Sequence, residues 1–134
     1  MIYVDSNYWV YWLDARVPEH GRVTRTMRSA IREGVAISYI TLFEVAHHLR
    51  MLPKDRFLEL TDSMHNLATL SSYDVDDRIA DLALKMLPDY APRGLGGRDC
   101  MILATMKVHD IKRIATHDLA FRNVPDIEVI DPIA

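Results

Sequence analysis

Short apolar runs alternate along the chain with longer stretches in which apolar residues recur every three or four positions. Short continuous runs fit strands buried on both faces, and the longer period fits helices with one face on a core. Ile2-Tyr3-Val4 is the first such run, and Ser6 or Asn7 is placed to cap a helix reaching Asp14. Pro18 opens a second helix, in which Val23, Met27 and Ile31 share a face and which Gly34 stops. Val35 to Tyr39 reads as a second strand, and Thr41 as the cap of a helix to about Met51. Pro53-Lys54-Asp55 interrupts the pattern before a helix from about Arg56 to Asn66. Thr69 to Tyr73 reads as a strand, and Asp74 or Asp76 starts a helix that ends before Pro88. Residues 88–97, with two prolines and three glycines, read as a loop. Cys100 to Met106 is apolar on nearly every side and predicts a buried helix, followed by strands at Arg113–Ala115 and Ile127–Ile130.

Strands that alternate with helices predict an α/β fold, a three-layer sandwich with a central parallel sheet flanked by helices. No repeat, linker or low-complexity segment divides the 134 residues, so residues 1–134 are expected to form one domain. In such sheets, sites form beyond the carboxyl ends of the strands.

Carboxylates occupy those places. Asp5 follows the first strand, and Asp118 follows the strand at 113–115. Glu44 lies in the first turn of the helix after the second strand, and Asp99 opens the buried helix after Gly96-Gly97. Each acid alone has a structural account. Asp5, Asp99 and Asp118 could be caps, and Glu44 could complete a capping box with Thr41. Together they would raise each other's pKa at one sheet edge unless a cation neutralises them. Hard divalent ions with oxygen ligands are the natural partner.

The same segments resemble the PIN-domain family. M-I-Y-V-D-S-N at 1–7 resembles the opening of those domains, and I-S-Y-I-T-L-F-E at 37–44 their second block. R-D-C-M-I-L-A-T-M at 98–106 resembles the third block, and A-T-H-D-L-A-F at 115–121 the fourth. The blocks come in the family's order, and the length is similar to that of its small VapC-like toxins. Ala120 departs from the pattern, standing near a place where many relatives carry a further acid. The resemblance implies a ribonuclease that hydrolyses RNA phosphodiester bonds, the toxin of a toxin–antitoxin pair. It implies Asp5, Glu44, Asp99 and Asp118 as catalytic residues holding Mg²⁺ or Mn²⁺, with Ser6, Asn7 and Thr116 orienting them. RNA, a cognate antitoxin and a second copy of the chain are the implied partners.

Charge changes that picture in one respect. The formal net charge is -3, which is not the basic footprint of a protein that binds nucleic acid by charge alone. A local contact must therefore meet the phosphate, and Arg98 beside Asp99 is the better candidate. Arg25, with Arg22, Arg28 and Arg32, reads first as a solvated face opposite Val23, Met27 and Ile31, and only second as a strip for RNA or a partner. His47 and His48 point about 100° apart on a helix and do not chelate one ion well. His117 beside Asp118 lacks the geometry of a triad. The dense run Tyr8, Trp9, Tyr11 and Trp12 exceeds one buried face, which suggests an interface with a partner or packing on the next helix.

The single cysteine, Cys100, excludes an internal disulfide, and no apolar run approaches the roughly 20 residues that span a bilayer. A cytoplasmic protein is expected, without membrane attachment. Two other readings fit the strand-end acids. A phosphatase of the haloacid dehalogenase type also places an Asp after its first strand, but wants an acid where Asn7 stands. A non-catalytic PIN-fold binding module would have no physical reason to keep uncompensated charge.

Overall fold

The computed structural model describes residues 1–133. Its strands are β1 (Ile2–Val4), β2 (Val35–Ser38), β3 (Leu70–Tyr73), β4 (Arg113–Ala115) and β5 (Glu128–Ile130). They form one 5-stranded sheet in the order β3-β2-β1-β4-β5, and every pairing is parallel. Parallel neighbours need long crossovers, which helices provide. These are α1 (Ser6–Leu13), α2 (His20–Glu33), α3 (Tyr39–Leu49), α4 (Lys54–His65), α5 (Asp77–Tyr90) and α6 (Gly97–Val108). Short 3-10 turns cover Ala91–Arg93 and Leu119–Asn123.

Side chains alternate between the sheet faces and sort the core into layers. Ile2, Val4, Val35, Ile37 and Ala115 join Trp9, Val23, Met27, Val45 and Leu49, which come from α1, α2 and α3. Tyr3, Ala36 and Ile114 face the other way, onto Ile102, Leu103 and Met106 of α6. A third cluster fixes α5 on α6 through Ile79, Ala83, Cys100 and Ala104. The three-layer arrangement is therefore the one the alternating pattern predicts. The basic face of α2 is exposed at Arg22, Arg25, Arg28 and Arg32, opposite buried Val23 and Met27.

Several boundaries differ from the sequence reading. Asp5, not Ser6 or Asn7, is the N-cap of α1, and its side chain accepts from the Ser6 N–H. Ser38, not Thr41, caps α3, so that helix begins at Tyr39 and Thr41 is left for a buried contact. The helix after Pro53 starts at Lys54, with the proline as its N-cap residue rather than part of a break. α5 runs through Pro88 to Tyr90, because the proline lies in the last turn and burial of Ile79 and Ala83 outweighs the lost hydrogen bond. Gly34 ends α2 as expected, at φ 120, a conformation that lets β2 begin at the next residue. Of the aromatic run, Tyr8 and Trp9 are fully buried, and Tyr11 and Trp12 are partly buried against the same core.

Asp14 closes α1. Both its oxygens accept from Arg16, and His48 Nε2 of α3 lies 3.7 Å away. The Arg16 hydrogen bonds hold its carboxyl down at about 2. A depressed carboxyl contributes stability above its unfolded value and loses it as pH falls through the folded one. Urea midpoints of the chain and of Asp14→Asn should therefore differ fully above pH 3.8 and converge as pH falls through about 2. A gap that persists at the acid end would refute this account.

Candidate metal and nuclease site at the carboxyl edge of the sheet

The chain order of the sheet turns at β1, with β2 on one side and β4 on the other, which opens a crevice at their carboxyl ends. Asp5 leaves β1 directly into that crevice, and its side chain is fully buried. Its Oδ1 accepts from the Ser6 N–H at 2.7 Å, and its Oδ2 accepts from the Thr116 hydroxyl at 2.7 Å. Burial raises the Asp5 carboxyl above the usual aspartate range, against the opposing pull of Arg98 and Thr116.

Glu44 reaches the same crevice from the middle of α3, and not from its first turn as the sequence suggested, because the helix begins at Tyr39. Its position depends on Tyr3, whose hydroxyl accepts from the Ser38 N–H at 3.1 Å and shares a 2.6 Å hydrogen bond with Thr41. That buried pair ties β1 to the start of α3, and burial pushes the phenol well above its ordinary pKa. Asp99 stands at the third position of α6, where its Oδ2 accepts from the Gly96 N–H at 3.0 Å. It is thus one half of a capping box and not the N-cap residue itself, which is Gly96.

One guanidinium joins the three acids. Arg98 Nη1 donates to Glu44 Oε2 and lies 3.8 Å from Asp5 Oδ1, while Nη2 donates to Asp99 Oδ1 at 2.7 Å. Three carboxylates thus surround one cation, and Glu44 Oε1 stays buried without a hydrogen-bond partner among the described residues.

Asp118 is connected to this group less directly. Its N–H donates to the Thr116 hydroxyl oxygen at 3.1 Å, while its Oδ1 accepts from the Ala120 N–H and caps the 3-10 turn. Ser6 donates from Oγ to Glu44 Oε2 at 3.3 Å. Asn7 donates from Nδ2 to Thr116 Oγ1 and accepts from the His117 N–H through Oδ1. Asp5, Glu44 and Asp99 are therefore brought together, with Ser6, Thr116 and Arg98 bonded to them and Asn7 one hydrogen bond removed, through Thr116. Arg25 is not: it lies exposed on α2 and lines a separate pocket with Ile2, Ser29 and Arg113.

The donors suit a hard divalent ion, being carboxylate oxygens, one of them buried and unpartnered. Their present arrangement is organised around Arg98. Among the described residues, no group of three or more His, Cys, Asp or Glu side chains is placed to hold a metal ion.

Beside the acids lies a contact that sequence reasoning missed. His117 Nδ1 is 2.9 Å from Asp131 Oδ2, and Tyr8 donates to Asp131 Oδ1 at 2.6 Å. The Asp131 side chain is fully buried. Asp131 follows β5 as Asp5 follows β1, so the strand-end rule could have singled it out.

A profile of the PIN domain matches residues 2–127. The chain belongs to the PIN-domain family. No significant match was found among curated proteins. Solved structures with this PIN fold include the sarcin–ricin loop cleaving toxin VapC20 of Mycobacterium tuberculosis, 20% identical, with a TM-score of 0.81 over 96% of this chain and 98% of that one. FitAcB of Neisseria gonorrhoeae is 25% identical, with a TM-score of 0.75 over 98% of both chains. A toxin–antitoxin complex of Klebsiella pneumoniae is 20% identical, with a TM-score of 0.66 over 97% and 96%. The family match supports neither the phosphatase nor the non-catalytic reading. No helix of this PIN domain, among the described residues, is long and apolar enough to cross a membrane.

Tyr3→Phe leaves the Ser38 N–H and the Thr41 hydroxyl without their buried partner, a loss of about 1–3 kcal/mol. Chemical denaturation should show that destabilisation. A variant as stable as the parent chain would mean that the phenol does not anchor α3.

Proposed function

We propose that this PIN domain is a metal-dependent endoribonuclease, the toxin of a toxin–antitoxin pair, with residues 1–134 acting as one nuclease unit. The observation that carries this reading is the meeting of Asp5, Glu44 and Asp99 at the carboxyl edge of β1. An arrangement of like charges is costly to keep and is what divalent-ion chemistry requires. The similarity to a sarcin–ricin loop cleaving toxin and to a toxin–antitoxin complex supports RNA as substrate and an antitoxin as partner. A second copy of the chain is part of the same proposal.

In this reading Asp5, Glu44, Asp99 and Asp118 would hold Mg²⁺ or Mn²⁺. The bound ion supplies an activated water and positive charge for the scissile phosphate. The remaining work belongs to the protein. Ser6 and Thr116 fix both oxygens of Asp5. The Gly96 N–H fixes one oxygen of Asp99. Asn7 bridges Thr116 and the backbone of His117, which holds the β4 loop against α1. Arg98 is the cationic group nearest the acids and can meet a phosphate oxygen through its fork of donors.

Purified protein incubated with structured RNA and Mn²⁺ should cleave it, and EDTA should stop the reaction. Asp99→Asn removes a ligand and is expected to slow cleavage by about a hundredfold or more. Equal cleavage by that variant would overturn the assignment. Hydrolysis of small phosphate esters without RNA cleavage would overturn the choice of substrate.

A further inference from the structure

Arg98 has two relations to the acids that do not sit easily together. It is the group that neutralises them in the structure, and it fills the space between them. Its Nη1 bonds Glu44 and lies 3.8 Å from Asp5, and its Nη2 bonds Asp99 at 2.7 Å. Each of the three acids gives the guanidinium one oxygen. The other Asp5 oxygen is taken by Thr116 and the other Asp99 oxygen by the Gly96 N–H, whereas Glu44 Oε1 has no partner among the described residues.

A divalent ion gathers oxygen ligands from all sides, whereas a planar guanidinium meets carboxylates through its edges. The same oxygens cannot serve both at full strength, and two cations in one small crevice repel each other. Arg98 is not locked in by packing: its side chain is 34% exposed. It springs from the second residue of α6, next to the exposed glycines 96 and 97, so it has room to leave.

We propose that Arg98 is an internal counter-ion that competes with the divalent cation for Asp5, Glu44 and Asp99. In the metal-free chain it neutralises these acids, and it releases Glu44 and Asp5 when the ion binds. The freed guanidinium then stands at the rim of the crevice, where an RNA phosphate would arrive. This inference rests on the metal-site reading above and adds that metal affinity is set partly by an arginine that is not a ligand.

The test is a calorimetric titration with Mn²⁺ of the parent chain, Arg98→Ala and Arg98→Met, the last keeping most of the stem without the charge. Competition predicts that both variants bind Mn²⁺ about tenfold or more tightly than the parent. Thermal melts give a second readout. Without metal both variants should melt below the parent, because the acids lose their counter-ion, and Mn²⁺ should raise their midpoints more than the parent's. A variant that is unfolded alone and folds on adding Mn²⁺, as followed by circular dichroism, gives the same answer. Parent-like or weaker Mn²⁺ binding by both variants would overturn the inference and leave the metal site standing. No Mn²⁺ binding by any of the three proteins would overturn both.

Discussion

The structure is organised around a carboxylate that has been taken out of water. Asp5 ends the central strand with its side chain fully buried, and a buried anion is tolerated only with hydrogen bonds and a counter-charge. Those requirements recruit distant parts of the chain. Thr116 arrives from the end of β4 and Arg98 from the start of α6, and the N–H of the adjacent Ser6 completes the set. Once Arg98 is drawn in, Glu44 and Asp99 have a cation to face. The crevice is thus a consequence of one buried charge at the turn in strand order, and the helices around it are held where that charge needs them.

Much of this was legible in the sequence because the periodicities are clean. Val23 and Met27 point inward on α2, and the apolar run in α6 is the helix buried under the sheet. Strand-end acids could be found by position alone, since a parallel sheet sends its strand ends to one edge. What could not be read was hydrogen bonding by side chains that look apolar or generic. Tyr3 reads as one more strand residue, yet its hydroxyl serves β2 and α3 at once. Thr41 has the spacing of a cap, yet Ser38 reaches the helix end first and Thr41 turns inward to Tyr3.

Long-range pairing is the other thing a linear reading misses. Asp131 lies 14 residues from His117 and 123 from Tyr8, and only the folded sheet brings the three together. Arg25 and Arg98 illustrate the same point in reverse. Their neighbours in the sequence already separate them: Arg98, beside Asp99, enters the crevice, while Arg25, opposite Val23 and Met27, faces solvent. Pro88 was a sound signal for a helix end, displaced by a few residues because packing of α5 on α6 is stronger than one missing donor.

The outer strands carry a consequence of their own. β5 is three residues long, and its Glu128 pairs with Arg113 on the neighbouring strand. β3 is four residues long with two serines at its centre, and its Tyr73 ring stacks on His109. Short, polar or charged margins resist strand addition, which disfavours sideways extension of the sheet by a foreign backbone. A protein partner is therefore expected to meet side chains on the surface rather than lengthen the sheet, which makes recognition a matter of surface sequence more than of backbone pairing.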